Sequence, residues 1–317
     1  MHSDFLWALY YNDPMRELTI NKTSWISLVK PSYEEIKELG ARFPQIHPLV
    51  LEELLTPTIR QRVENYENHL YLVLYFPNFM EEVKKTVSRE VDVILMPEVM
   101  ITVQYGAISA LEDFWHECET AKAVQDQYGK TPVHLLYYLL RNLFAFSLKE
   151  LDQIQEEIDV MEEHVFTGRE KEILEDIAIL RRNVLDFRRT IKPQQHTLES
   201  LVVQGTQLYG EKVKPFLTDL VGEYLKVWSL LENHKETLDA LYETNDSLLA
   251  AKINETMRVF TILAFISFIP AAIANIYGMN ISHIPLLERP NAFWMILGLM
   301  ALATGLVYLM LKWRKLI

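Results

Sequence analysis

Val259 to Tyr277 reads VFTILAFISFIPAAIANIY, nineteen residues without a charged side chain, and Phe293 to Leu311 gives a second uncharged stretch of the same length. A helix rising about 1.5 Å per residue covers roughly 28 Å in nineteen residues, close to the roughly 30 Å hydrocarbon thickness of a bilayer. One such stretch is compatible with the buried helix of a water-soluble protein. Two in succession, joined by a short connection, predict a two-span membrane domain over residues 259–317. The flanks set its orientation. Lys252 and Arg258 precede the first span and Lys312, Arg314 and Lys315 follow the second, whereas the connection from Gly278 to Ala292 carries only Arg289, offset by Glu288. The excess of Lys and Arg stays on the cytosolic side, so both termini are expected in the cytosol and the connection outside a cell (inner) membrane. Met1-His2-Ser3-Asp4-Phe5 lacks the basic start and long apolar run of a signal peptide, so insertion is expected from the C-terminal end. Two helices cannot enclose a pore, so conduction would need several copies around an axis.

Almost all the charge lies before Val259, in a chain whose net charge is −12. That sign excludes the basic surface a nucleic-acid partner requires. Cys118 is the single cysteine, so no disulfide forms within one chain. Trp25–Val29, His69–Phe76, Val91–Met96 and Val99–Tyr105 read as strands rich in aromatic and β-branched residues. Ser32 to Gly40 reads as a capped short helix ended by glycine. These predict a cytosolic α/β domain over residues 1–130. No nucleotide-binding glycine loop and no nucleophile–base cluster stands out, so nothing supports an enzyme; His47 and His69 read as turn or core residues rather than ligands.

Residues 131–258 change to long helices. Leu148 to Val165 carries Glu150, Asp152, Glu156, Glu157, Asp159, Glu162 and Glu163. This is either a solvated face or a reservoir of negative charge that concentrates cations. Gly168 breaks it, and an antiparallel partner is expected from Glu170 to Val203. Between Pro215 and Pro270 there is no proline. Leu217, Leu220, Tyr224, Val227, Leu231, Leu238, Leu241 and Leu248 recur at heptad spacing, with His234 and Asn245 on the same seam. A single helix from Pro215 to Tyr277, roughly 95 Å long at that rise, is predicted to carry the stalk into the first span. One face of it reads Asn254, Met257, Thr261, Ala264, Phe268, Ala271 and Asn275, with Phe260 alongside. That face is polar at both ends, has no carboxylate within the span, and suits an ion that keeps its water. Mg2+ sheds its hydration shell reluctantly, and apolar rings at Met257, Phe260 and Phe268 are suited to gating by dewetting.

Tyr277-Gly278-Met279-Asn280, directly after the first of two C-terminal spans, resembles the signature of the CorA family of magnesium channels. His47-Pro48-Leu49-Val50-Leu51-Glu52-Glu53, Gln61-Arg62-Val63-Glu64 and Glu67-Asn68 resemble that family's cytosolic domain, and Asn254-Glu255-Thr256-Met257 its pore entrance. The resemblance implies an α+β membrane protein: an α/β/α cytosolic domain, a long helical stalk and two transmembrane helices in a funnel-shaped homopentamer. It implies passage of Mg2+, with Co2+ and Ni2+ as further ions. Gly278, Met279 and Asn280 would form the outer ion-selecting ring, and Phe260 would stand where the family has an aliphatic gate. Cytosolic Mg2+ bound between subunits would close the pore through Asp219, with Glu81 or Glu82 of a neighbour and Glu243 as a second stalk position. The outer loop departs from the family's Met-Pro-Glu continuation and reads Ile281-Ser282-His283-Ile284-Pro285-Leu286. Imidazole suits Zn2+, so His283 leaves a zinc transporter of the same superfamily open. A non-conducting, membrane-anchored coiled-coil scaffold is the remaining reading.

Overall fold

The computed structural model describes residues 15–80, 83–167, 173–279, 285 and 289–314. They divide into two compact units, residues 1–242 and 243–317.

The first unit is built on six strands: β1 (Met15–Ile20), β2 (Thr23–Val29), β3 (Arg62–Tyr66), β4 (His69–Met80), β5 (Lys85–Leu95) and β6 (Val99–Gln104). Their order in the sheet is β1-β2-β6-β5-β4-β3, antiparallel throughout except where β2 runs parallel to β6. Both faces are covered, which is why β4 and β5 read as near-continuous apolar runs. Alternation still sorts their side chains. Tyr71 and Val73 of β4, Ile94 of β5 and Ile101 and Val103 of β6 join Ile26 and Leu28 on one side. There they pack against α1 (Tyr33–Arg42) and α2 (Pro48–Glu53) through Ile36, Leu39, Phe43, Val50 and Leu54. The opposite side carries Trp25, buried between Trp115 and Phe114 of α3 (Ser109–Thr120), with its indole N–H donating to the Thr102 hydroxyl at 3.0 Å. Helix α4 (Lys122–Tyr128) follows α3.

The longer helices cover the same side: α5 (Pro132–Phe166), α6 (Leu174–Ile191) and α7 (Gln194–Tyr209), with Phe144 of α5 set edge-on to Phe76 of β4. Helix α8 (Lys214–Tyr277) then begins here and is a single helix of 64 residues, as its proline-free heptads predict. Leu217, Leu220, Tyr224, Val227, Leu231, Leu238 and Leu241 are all buried. Polar seam residues are buried with them: His234 donates from Nε2 to the Leu151 carbonyl of α5 at 3.0 Å, and burial holds its pKa below the ordinary histidine value. Outside the seam, Arg188 and Arg181 of α6 pair with Glu232 and Asp239 of α8 while lying over the rings of Trp228 and Tyr242.

Three expectations change. Gly40 does not end α1, which runs to Arg42. A Cβ on Gly40 would lie 2.7 Å from the Leu51 Cδ1, so the glycine serves the approach of α2 and not a cap. The expected helix from Glu170 to Val203 is two helices, because Pro193 has no N–H to continue the ladder and its ring crowds the preceding turn. The short strands β1 and β3, six and five residues with mixed polarity, escape a reading based on apolar runs. The break expected at Gly168 lies outside the described residues; α5 ends at Phe166.

The second unit comprises the C-terminal part of α8 and α9 (Ala292–Trp313), the two helices among the described residues that are long and apolar enough to cross a membrane. Phe260, Phe268, Phe293 and Trp294 are each at least 64% exposed in the single chain, a surface that water would not support.

Gly129 closes α4 against the β1–β2 turn, its carbonyl accepting from the Lys22 N–H and the Thr23 hydroxyl. A Cβ there would sit 2.2 Å from the Ile20 carbonyl oxygen, backbone that cannot swing aside. Gly129→Ala should therefore lower the thermal stability of the purified protein, by about 1–3 kcal/mol at an overpacked site. An unchanged melting temperature would show that the turn relaxes freely.

Candidate ion pathway and cytosolic charge sites

Helix α8 has two unlike faces in the second unit. Ile262, Ile266, Ile269, Pro270, Ile273 and Tyr277 are partly covered, whereas Asn254, Met257, Phe260, Thr261, Ala264, Phe268, Ala271 and Asn275 are all exposed. At about 100° per residue the two sets point in nearly opposite directions. Ile266 and Pro270 line an apolar cavity of about 500 Å3 together with Leu297, Met300, Ala301, Thr304, Gly305 and Tyr308 of α9. The first set therefore faces α9, and the amide-tipped set faces away from it.

Pro270 lies inside the helix and supplies no N–H to the Ile266 carbonyl, yet the helix continues. Thr261 spends its hydroxyl on the Met257 carbonyl at 2.7 Å, so it adds no free donor to its face. The helix ends at Tyr277; the Gly278 N–H still bonds the Ala274 carbonyl at 2.8 Å and the Met279 N–H the Ile276 carbonyl at 3.3 Å. Gly278 and Met279 thus sit on the last turn, both exposed. Asn280 and His283 lie outside the described residues.

In the first unit, Asp219 is exposed on the second turn of α8 and accepts a hydrogen bond of 2.7 Å from the Tyr137 hydroxyl near the start of α5. Phe216 fills the space between His134 and Tyr137. Desolvation, reinforced by the Asp219 charge, raises the Tyr137 phenol above its ordinary value. Glu81 and Glu82 lie outside the described residues, but the end of the β4–β5 hairpin is anchored. The Phe79 N–H donates to Glu150 of α5 at 2.9 Å, and Asn183 of α6 bonds the Lys84 carbonyl and the Thr86 N–H. Tyr137 and Glu150 are thirteen residues apart on α5, about 20 Å along its axis. Asp219 and the described hairpin residues Phe79 and Lys84 therefore contact α5 and α6 at points well apart in one chain. Among the described residues, no group of three or more His, Cys, Asp or Glu side chains of one chain could hold a metal ion. Glu243, in the second unit, is exposed.

The acidic row of α5 points largely to solvent. Part of it, Glu156 and Glu157, joins Asp176, Lys84 and His164 around an open groove of about 630 Å3. Burial, helped by Asp176 and opposed by Lys84, raises Glu157 above the ordinary carboxylate value. His47 caps α2, its Nδ1 accepting from the Leu49 N–H at 3.2 Å, and stacks on Tyr66, which in turn stacks on the buried His69. Both histidines have the turn and core positions expected of them. The sequence reading missed one buried polar feature altogether: Glu90 and Asp92, two carboxylates inside an apolar strand, which period-2 patterning could have flagged as inward-facing charge.

Comparison with known proteins places this geometry. The family model described as "CorA-like Mg2+ transporter protein" matches residues 21–313. The cobalt/magnesium transport protein CorA of Thermotoga maritima is 27% identical over 292 residues, covering 92% of this chain and 83% of its own. The protein of the same name from Methanocaldococcus jannaschii is 25% identical over 280 residues, covering 87% and 86%. The complete structure of the M. jannaschii CorA magnesium transporter superposes with a TM-score of 0.80 at 22% identity, covering 92% of this chain and 90% of that one, a likeness of fold. Because the match takes in the sheet, the stalk and both spans alike, the chain is a member of the CorA-like Mg2+ transporter family, whose members carry ions and are not enzymes.

Proposed function

We propose that this protein is a homopentameric channel that passes hydrated Mg2+ into the cytosol, with Co2+ and Ni2+ as further ions, and closes when cytosolic Mg2+ binds between its subunits. The observation that carries the reading is the exposed, carboxylate-free face of α8 directed away from α9. In a ring of copies with α8 innermost, that face lines the axis. Asn254 and Asn275 then supply amide oxygens at the two ends, and Asn280 with Gly278 and Met279 forms the outer ring.

Amide oxygens accept hydrogen bonds from the water shell of a divalent ion without stripping it, which matches the reluctance of Mg2+ to dehydrate. A ring of carboxylates would instead select by fixed charge, the other device that cation channels use. Met257, Phe260 and Phe268 make successive apolar constrictions, and Ala264 and Ala271 leave room between them. Phe260 gives a bulkier gate than an aliphatic residue would.

For regulation, Asp219 faces solvent with only a tyrosine hydroxyl bound, so it remains available as an acceptor. Glu81 or Glu82 of a neighbouring subunit would complete the site with it. Glu243 offers a second position along the stalk, and the acidic row of α5 raises the local cation concentration. His283 favours a second reading, Zn2+ as the transported ion, because the outer loop lacks the acid of the family's Met-Pro-Glu motif and has an imidazole nearby.

Asn280→Ala should abolish Mg2+ uptake into liposomes while leaving the oligomer intact by size-exclusion chromatography; normal uptake would remove the pore assignment. Running the wild-type assay with Mg2+ and Zn2+ side by side, with and without a proton gradient, separates the two ions. Asp219→Lys should keep the channel open at millimolar cytosolic Mg2+, and inhibition identical to wild type would refute the sensor.

A further inference from the structure

Glu90 and Asp92 lie two residues apart on β5, side by side on the face covered by α1 and α2, and are 3% and 0% exposed. Among the described residues, neither is in an ion pair with a basic side chain. Arg62 of β3 is committed to Glu53 of α2 and to Glu64 at 2.8 Å, with its guanidinium 5.4 Å above the Tyr71 ring. Tyr33, Glu34, Lys37, Glu38 and Arg42 of α1 and Glu52 of α2 are exposed, Glu35 bonds the Ser32 N–H, and α1 presents Ile36 and Leu39 to this core. Further titratable groups on this side are the phenols of Tyr71 and Tyr75 on β4, Tyr105 after β6 and Tyr66 on β3, together with His47 and His69, which stack on Tyr66.

The hydrogen bonds are lopsided. Asp92 Oδ2 accepts from the Tyr71 hydroxyl at 3.1 Å and lies 3.0 Å from the Tyr105 hydroxyl, while Oδ1 is buried without a donor among the described residues. The Glu90 Oε1 accepts from the Thr58 N–H at 2.9 Å and the Thr58 hydroxyl at 3.0 Å, and its other oxygen accepts from the Tyr75 hydroxyl. Glu90 sits two residues from Asp92 on the same face of β5. Two neighbouring carboxylates in a dry core, neither in an ion pair among the described residues, are costly to hold as two anions. The Tyr105 hydroxyl has one proton and two acceptors beside it, Asp92 and the Leu54 carbonyl. A proton on Asp92 lets the acid donate to Tyr105 while Tyr105 donates to Leu54.

We propose that Asp92 is a neutral carboxylic acid in this structure, and that its proton fastens the loop 54–61 to the sheet through Tyr105. The loop is held at two points: the Leu54 carbonyl accepts from Tyr105 at 3.2 Å, and the Thr58 N–H donates to Glu90 at 2.9 Å, with the Tyr75 hydroxyl beside the Thr58 carbonyl. Between Thr58 and Gln61 the chain turns outward so that Ile59 is fully exposed, and Gln61 donates to the Thr190 carbonyl at the end of α6 at 2.7 Å. The loop therefore bridges the acid pair and the helical layer, and proton activity in the cytosol sets how firmly it is held. Burial first, then the Glu90 charge, raises Asp92 well above the ordinary aspartate value. A raised value means that attachment of the loop takes up a proton. The attachment is complete at low pH and is lost as pH rises through the Asp92 value of the attached state. The device does not depend on which ion the channel carries.

Hydrogen–deuterium exchange of residues 54–61 in the full-length protein in detergent tests this. After correction for intrinsic chemistry, the opening equilibrium should rise about tenfold per pH unit where one proton is released on opening. Asp92→Asn, whose amide donates to Tyr105 without titrating, should flatten that slope, and Glu90→Gln should flatten it too. A wild-type slope of zero overturns the proposal, as does suppression of loop opening by Mg2+ added to chelator-treated protein, which would put a cation between the carboxylates. Should the variants fail to fold, infrared spectroscopy of wild-type protein labelled with 13C-aspartate decides: a label-shifted carboxylic-acid band at neutral pH supports the proton, and its absence refutes it.

Discussion

A peptide group inside hydrocarbon has no water to bond, so each N–H and C=O left unmatched there costs several kcal/mol. Much of this chain follows from that constraint. It forces residues 259–277 and 293–311 to be helices, and it keeps charge out of both. It also limits any pore wall built from α8 to amides, hydroxyls, small side chains and aromatic rings. The two departures from regular helix sit where they cost least. Pro270 leaves one carbonyl without its helical donor at a position that lines the contact with α9, and the glycine that ends the helix falls at its outer end. A wall with no fixed charge can recognise a divalent cation only through the ion's own water, so the membrane's chemistry and the proposed selectivity have one origin.

The cytosolic unit answers a different solvent. Its sheet is covered on both faces, and the seam of α8 is buried against the helices on one of them through leucine, valine and tyrosine at heptad spacing. Buried polar groups on that seam are costly unless matched, and His234 is matched by the Leu151 carbonyl. The arginine pairs from α6 to Glu232 and Asp239 are partly exposed, so each contributes little alone, about 0–1 kcal/mol. Their stacking over Trp228 and Tyr242 gives them direction as well as charge. On the other face of the sheet lies the buried acid pair Glu90 and Asp92, whose proposed proton would tie this unit to pH independently of any metal.

How much of this could be read in advance depended on the range of the forces involved. The spans, the jointless α8 and the central strands β2, β4, β5 and β6 were legible because each depends on a hydrophobic period running for many residues. The cap at Ser32 was legible because capping is local; the structure adds Glu35 as the second half of a capping box. The role of Gly40 was not, since its partner Leu51 is eleven residues away in another helix. Pro193 was overlooked although its effect is local, because apolar spacing on both sides of it fits one long helix. β3 is short and polar, and takes its place by pairing with β4 at the sheet edge. Of the proposed pathway, the face of α8 was visible as spacing, but its direction relative to α9 was not.

The sequence by itself determined that the chain enters a membrane twice at its C-terminal end, that one helix runs from Pro215 to Tyr277, and that Gly278-Met279-Asn280 follows it. These are consequences of composition and period, set by solvent transfer along a single segment. Only the tertiary structure decided which face of α8 is turned from α9, that Asp219 receives the Tyr137 hydroxyl, and that Glu90 and Asp92 are buried side by side with no ion pair among the described residues. Each of these depends on contacts between residues distant in the chain, where packing and desolvation act on side chains that no local pattern brings together.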